Sequence, residues 1–540
     1  MTLLNDSEEP TAEEFHYRYD TAGRILASAF AQTSQNSSAP FYPSQASPSA
    51  NKALRRALVV YDYRPAGDLA EIRYHWQNLA GSSYSTTNIG KVAYTYAPYK
   101  GLRTSATRYT GSGTGWGSGT EDEYQYDADL DYLTAVDYSS VSGSSFTADD
   151  SWTYDAAGNR SNSGYTYDHL NRMTASPGAT YTNDILGNRT WKNQNASGAV
   201  RHIWDDAGRM RKMAGPTDGA TYTYRADGMR IKKVTGLQLA WIEVEDELSG
   251  LTSGFYDEIQ NVNYPTYRYR YDGQMCFEDD YTVTVTGNPS TQSITGTSYA
   301  LGARGIDMMR TFSVSVSTSA KTYNGTSFPI YDGHGNMIST LARSSSTPYY
   351  ALGNERQYDV WGGVRSGATT GDPNTRYCAN LGHKQDDESG LIYMRARYYE
   401  PSTGRFVSED PAMDGSNWFN YSKDNPISYF DSTGKGPEME IELILLRTMR
   451  LLRKANTYRH LMMAGETGIR MLSQFASNQM MLAADYDALA LAASEAGSVE
   501  GHDVAKALGA RHRALAVAAT LGISQIRAMM LIVLDIMGLD

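Results

Sequence analysis

Two carboxylates and a guanidinium open the question of chemistry. Asp410 and Asp431 lie 21 residues apart, each beside an aromatic strand-like run, with the turn residues Gly415 and Asn425-Pro426 between them. If the chain folds back there, the two carboxylates approach. Neighbouring carboxylates do not both ionise easily; they share a proton and act as an acid/base pair on water. A cation at hand, Arg397 or Arg395, would keep one of them charged or bind a polarised carbonyl.

Other candidate groups give less. Asp127-x-Asp129-x-Asp131 has the opening of a calcium loop, but Tyr132 stands at the required glycine and Tyr138 at the bidentate glutamate, so an acidic solvated hairpin is expected. Cys276 and Cys378, the only cysteines, are too few for a disulfide scaffold or a cysteine zinc cluster, and two separate thiols are expected. His460, His502 and His512 show no ligand or nucleophile spacing. No metal and no cofactor is expected.

The elements that must position these residues announce themselves by repetition. Tyr19-Asp20-Thr21-Ala22-Gly23-Arg24 recurs as Tyr154-Asp155-Ala156-Ala157-Gly158-Asn159 and as Trp204-Asp205-Asp206-Ala207-Gly208-Arg209. Tyr358-Asp359-Val360-Trp361-Gly362-Gly363 is a further copy, with looser ones from Tyr167, Asn183, Tyr224 and Tyr331. Each unit reads as a β-hairpin corner. Y-x-Y-D is a strand end with both rings on one face. The Asp side chain accepts from backbone N–H groups just beyond it, and Gly or Asn supplies the positive φ of the turn. One hairpin is marginal in water, so successive units must share a continuous sheet.

Composition divides the 540-residue chain. All but two of its 41 tyrosines and all 17 prolines precede Glu438, and a Leu/Ala/Met-rich tail follows. A mainly β body followed by an all-α tail is therefore expected, with a helix over 438–458. Within the body, 31–52 and 105–120 are rich in Ser, Gly, Thr, Gln or Pro and read as polar loops. Residues 1–14 are acidic, without a basic region or apolar run, and read as a disordered start with no visible secretory signal. The formal net charge of −12 argues against nucleic-acid binding by the body. The apolar run 514–537 is broken by Gln525, Arg527 and Asp535; packing in a helical core and contact with a membrane both remain open for the tail.

The corner motif resembles the YD repeat of the Rhs/YD family, which includes Rhs polymorphic toxins, toxin-complex C subunits and teneurin shells. The run Gly390-Leu391-Ile392-Tyr393-Met394-Arg395-Ala396-Arg397-Tyr398-Tyr399-Glu400-Pro401, continuing Gly404-Arg405-Phe406 to Asp410-Pro411, is similar to the Rhs repeat-associated core. The resemblance implies a spiralling antiparallel hairpin sheet, a shell or partial shell over 15–375, then the core at 376–437 and a variable tail at 438–540. It also implies an aspartyl-type self-cleavage in which Arg397, Asp410 and Asp431 take part, with the cut at Lys435–Gly436. The tail then becomes an effector held inside the shell and released from it, and the partners are that tail, a second shell-forming chain or an immunity protein. The implied setting is bacterial, secreted or at the cell surface. The chain departs from the family's D-P-x-G-L ending, since Ser432 replaces Pro and Lys435 replaces Leu. Burying a lysine where leucine is expected is costly. Two alternatives stay open: the three residues merely staple the module, in a non-enzymatic surface protein binding glycans or proteins, or the chain is a fragment of a larger Rhs protein.

Overall fold

The computed structural model describes residues 13–32 and 55–439, apart from short stretches at 81–82, 99, 141–144, 195, 197, 246–251, 261–264, 284–292, 316–317, 345–348, 414 and 437. Two antiparallel meanders account for most of these residues. The first has nine strands in chain order, from Glu13–Tyr19 to Asp150–Ser151; the second has fifteen, from Thr166–Tyr167 to Tyr350–Gly353. One hairpin, Leu237–Glu245 with Thr252–Gln260, stands outside the second sheet. Every other strand pairs with its neighbour in sequence, as hairpin corners in series require.

The unit at 204–210 shows the local physics. Asp205 Oδ1 accepts from the Ala207 and Arg209 N–H groups at 3.1 and 2.9 Å. Its Oδ2 takes Arg209 Nε at 2.8 Å. Gly208 sits at φ 69°, a conformation that a Cβ disfavours. The register slips by one residue between Ile203 and Trp204, so the corner is a bulge that bends the sheet. The arginine of the motif is thus the second clasp of the aspartate, a role that the turn chemistry alone did not assign.

The aromatic that precedes most of these turns has a task of its own. Its polar tip donates to a main-chain carbonyl just past the preceding corner. Tyr63 Oη reaches Ile25 O at 3.0 Å, Tyr96 reaches Leu69 O at 2.7 Å, and Tyr154 reaches Leu133 O at 2.7 Å. The second sheet repeats this with Tyr271 on Arg230 O at 2.8 Å and Tyr358 on Met337 O at 2.8 Å. Where the tyrosine is replaced, the bond persists: Trp204 Nε1 donates to Arg189 O at 2.7 Å and Asn183 Nδ2 to Met173 O at 3.0 Å. These corners are each stapled to the one before; the Asp168 corner, whose Tyr167 Oη is buried without a partner, is not.

The two sheets share a core. Phe30, Trp76 and Ile72 of the first pack with Phe328, Ile330 and Leu341 of the second, and the Phe30 and Phe328 rings stack at 5.5 Å. A small sheet of Lys384–Gln385, Ile392–Met394, Arg397–Glu400 and Arg405–Phe406 carries the 376–437 module. Its strands are almost wholly buried, as continuous Tyr/Phe runs demand.

Four expectations need correction. The segment 105–120 is not a loop: Arg103–Ser112 and Gly115–Tyr126 form a hairpin, because the small residues lie on an edge-to-edge ladder whose neighbours supply the bonding. The first strand begins at Glu13, within the supposed disordered start, because Glu13 and Glu14 pair with Gln32 and Ala31. The 31–52 segment accordingly begins in strand, and its remainder from 33 lies outside the described residues. Glu438–Met439 does not open a helix. It pairs as a strand with Tyr429–Phe430, since the turn at Asp431 folds the chain back on itself. The helical tail, from residue 440 on, lies outside the described residues. Cys276 and Cys378 are separate buried thiols.

Candidate functional site

The site grows from a two-residue hairpin tip. Met394 pairs with Arg397 across Arg395 and Ala396, and Arg395 takes the left-handed φ of 63° that so tight a turn needs. The tip presents the Ala396 N–H and the Arg397 side chain to the turn 431–436. Ala396 N donates to Thr433 O at 3.1 Å, and Arg397 Nε donates to Gly434 O at 2.5 Å. A Cβ at Gly434 would lie 2.2 Å from Met394 O, so only glycine lets the turn seat against this tip.

Both carboxylates meet the same guanidinium nitrogen. Arg397 Nη2 is 3.1 Å from Asp431 Oδ2 and 3.8 Å from Asp410 Oδ2. Nη1 donates to Trp418 O at 2.9 Å, and the guanidinium lies 3.5 Å over the Phe406 ring. All three ionisable residues are at most 3% exposed. Asp410 follows the strand Arg405–Phe406 and is held by Asp410 N donating to Trp418 O at 3.0 Å and by Ala412 N donating to its Oδ1 at 2.8 Å. Asp431 gathers the turn. Its Oδ1 accepts from Thr433, Gly434 and Lys435 N at 3.1, 2.7 and 3.1 Å, and its Oδ2 from Gly436 N at 3.0 Å. The chain does fold back as that spacing allowed, and the structure brings together Arg397, Asp410, Asp431 and the backbone at 434–436.

Arg395, the alternative cation, turns elsewhere. Its Nη2 donates to Leu381 O at 2.6 Å and its Nε to Gln274 O at 3.2 Å. Lys435 is exposed, so its ammonium stays in water rather than filling a leucine-shaped space. The Asp127–Asp131 segment is a hairpin corner in which Lys100 Nζ bonds Asp131 at 2.6 Å.

Several residues the motif did not single out hold the module in place. Glu400 receives Arg189 at 2.8 Å and Lys192 at 2.9 Å. Burial works against its ionisation, yet the two cations prevail and its carboxyl is held down at about 2. Asp386 is clamped by Arg230 and by Lys233 at 3.0 Å. His383 is buried beside Arg395 and pushed down to about 3, so it is neutral, with Nε2 donating to Ser432 O at 3.3 Å. Their signal in the sequence is a charged residue on an otherwise apolar strand, as in Arg397-Tyr398-Tyr399-Glu400.

What the fold and module define is an antiparallel repeat protein of Y-D corners, closed by a buried arginine–dicarboxylate unit. No family model matches the chain. It is 28% identical over 304 residues to the tRNA3(Ser)-specific nuclease WapA of Bacillus spizizenii, a match over 52% of this chain and 11% of that protein. It is 33% identical over 126 residues to toxin subunit YenC2 of Yersinia entomophaga, covering 23% of this chain and 12% of that one. A TcdB2–TccC3–TEV crystal structure aligns with a TM-score of 0.37 at 15% identity, over 78% of this chain and 24% of that one. The matched regions thus span about a tenth of the length of these curated relatives. Along its repeat body the chain is similar to Rhs/YD-repeat toxin-type proteins.

Proposed function

We propose that the chain is a YD-repeat carrier that surrounds its own C-terminal segment and releases it by cutting itself in the turn after Asp431. The observation that supports this best is the convergence of Arg397, Asp410 and Asp431 on the backbone of that turn. A buried cation facing a carbonyl, with two carboxylates on the same nitrogen, has the parts of a hydrolytic site: an oxyanion partner, a base for water, and a group to steady the departing amine. The family resemblance implies a cut at Lys435–Gly436. The released segment acts as an effector against other bacteria or a host, with an immunity protein or a second shell chain as partner, in a secreted or surface setting. Names such as nuclease and toxin subunit among the relatives support a toxin-type role.

One observation favours a second reading. Four backbone N–H groups and Arg397 already occupy the oxygens of Asp431, which is the bonding of a staple. A non-enzymatic surface protein that binds glycans or proteins would use the module in that way. Intact-mass measurement of the purified full chain separates the two. Two fragments that disappear in Asp410→Asn support self-cleavage, and a single full-length species removes it.

A further inference from the structure

Self-cleavage is set by which carbonyl the cation holds. Arg397 Nε donates at 2.5 Å to the oxygen of Gly434, and that carbonyl belongs to the Gly434–Lys435 peptide bond. The neighbouring carbonyls have other surroundings. Thr433 O takes the Ala396 N–H at 3.1 Å, and Ser432 O faces His383 at 3.3 Å. Lys435 is exposed, with its side chain in solvent, whereas Gly434 is buried against the hairpin tip. The amide nitrogen across the bond is also addressed: Lys435 N donates to Asp431 Oδ1 at 3.1 Å. One peptide bond therefore has its oxygen on Arg397 and its nitrogen on Asp431, while Asp410 Oδ2 lies 3.8 Å from Nη2 of the same guanidinium.

We infer that the bond cut in this protein is Gly434–Lys435, one residue before the position implied by the family register. This rests on the self-cleavage reading above. The step balances with water as the only co-reactant. A water oxygen bonds to the Gly434 carbonyl carbon, and Asp410 takes the water proton. Arg397 steadies the oxyanion on the Gly434 oxygen. As the tetrahedral species collapses, Asp410 returns the proton to the Lys435 nitrogen, and Asp431 accepts an N–H of that amine as its positive charge develops. The carbon–nitrogen bond breaks, leaving a Gly434 carboxylate and a Lys435 α-amine.

The departure from the family motif fits this placement. Residue 435 becomes the first of the released piece, and an exposed lysine there needs no pocket. The residue before the cut is glycine, whose lack of a side chain is what lets the carbonyl reach Arg397.

The test is the N-terminal sequence and intact mass of the C-terminal fragment from the full-length unmutated protein. A fragment beginning at Lys435 is expected. A fragment beginning at Gly436, lighter by one lysine residue, overturns the inference while leaving self-cleavage standing. Full-length chain alone, with no fragment, overturns both. A second arm uses Lys435→Leu, which restores the family residue: the cut is expected to stay before residue 435, and a move to the bond after it shows that a side-chain pocket, not Arg397, sets the position. Asp410→Asn is expected to slow fragment release by about a hundredfold or more while leaving the chain folded by circular dichroism. Unchanged release in that folded variant removes Asp410 from the step and overturns the assignment.

Discussion

Arg397 brings a full charge into an interior that Phe406, Tyr399 and Tyr421 otherwise fill with rings. Such a charge is tolerable only because five acceptors surround it: two carboxylates, the Gly434 and Trp418 carbonyls and the Phe406 face. Removing it strands Asp410 and Asp431 in low dielectric. Arg397→Ala is therefore expected to destabilise the folded unit by about 3–5 kcal/mol, read from denaturant midpoints, whether or not the chain cuts itself. A loss below about 1 kcal/mol would mean that the carboxylates reach water. Glu400 makes the complementary case with pH. Burial alone would raise its pKa, but Arg189 and Lys192 hold it near 2 against an ordinary value of 4.5. A depressed folded pKa gives stability that is fully present above about pH 4.5 and lost as pH falls through about 2, worth about 3 kcal/mol. Asp424 runs the other way. Burial lifts it to about 8 in spite of Arg405 and Arg160, so the folded state favours its protonated form and stability falls as pH rises from the ordinary aspartate range through about 8. Urea titrations of Glu400→Gln and Asp424→Asn across pH should flatten the acid and the neutral limb respectively. A variant that leaves its limb unchanged assigns the slope to another group.

At the scale of the element, the corner is held by three separable devices: the Asp that closes the turn, the Gly that permits it, and the aromatic that ties it to its predecessor. Gly208 isolates the second, because a Cβ there would meet only Asn188 Oδ1, at 3.9 Å. With space available, Gly208→Ala pays only for its φ of 69°, and a loss of about 1–2 kcal/mol is expected from thermal unfolding. Tyr154→Phe isolates the third. It keeps the ring and deletes one bond to Leu133 O, for an expected cost of about 1 kcal/mol. These devices explain what the sequence disclosed. Corners at Asp155, Asp205 and Asp359 are legible because an aspartate and a glycine at fixed spacing have few other uses. The corner at Tyr63 is not, because its charges are exchanged: Arg64 stands where the aspartate belongs and Asp68 where the arginine belongs, and they pair at 3.3 Å all the same. Residues 105–120 were obscured in a different way. Gly, Ser and Thr lack the apolar alternation of a strand, and the pairing of 105–112 with Gly90–Thr95 on one side and with Gly115–Glu123 on the other decides their state. The meeting of Asp410 with Asp431 depends on tertiary folding around Arg397, which no local spacing encodes.

Across residues 13–439, the module at 376–436 acts as a common fastening for both meanders. Towards the first sheet, Asn425 Nδ2 donates to Asp131 O at 2.8 Å, and the Val360 N–H, just before the module, reaches Tyr138 Oη at 2.9 Å. Towards the second, Glu400 binds Arg189 and Lys192, Asp386 binds Arg230 and Lys233, and Lys384 Nζ reaches Asp279 at 2.5 Å. Asn417 and Arg405 hold the linking turn through Asn159 Oδ1 at 2.7 and 2.9 Å. A meander alone has low cooperativity, since each hairpin touches only its neighbours and can fray from an edge. Buried ion pairs between a late segment and strands up to 211 residues earlier change that, because breaking one leaves an unpaired charge inside. The described unit should therefore melt as one transition, and Asp386→Asn, which leaves Arg230 and Lys233 without their shared partner, should lower the whole transition by about 3–5 kcal/mol. Calorimetry of the unmutated and mutated chains, with hydrogen exchange on strands Phe15–Phe30 and Tyr299–Phe312, would check it. Equal loss of protection in both regions is the expected result. Loss confined to the second sheet would show that the two meanders unfold independently and that the module fastens only one of them.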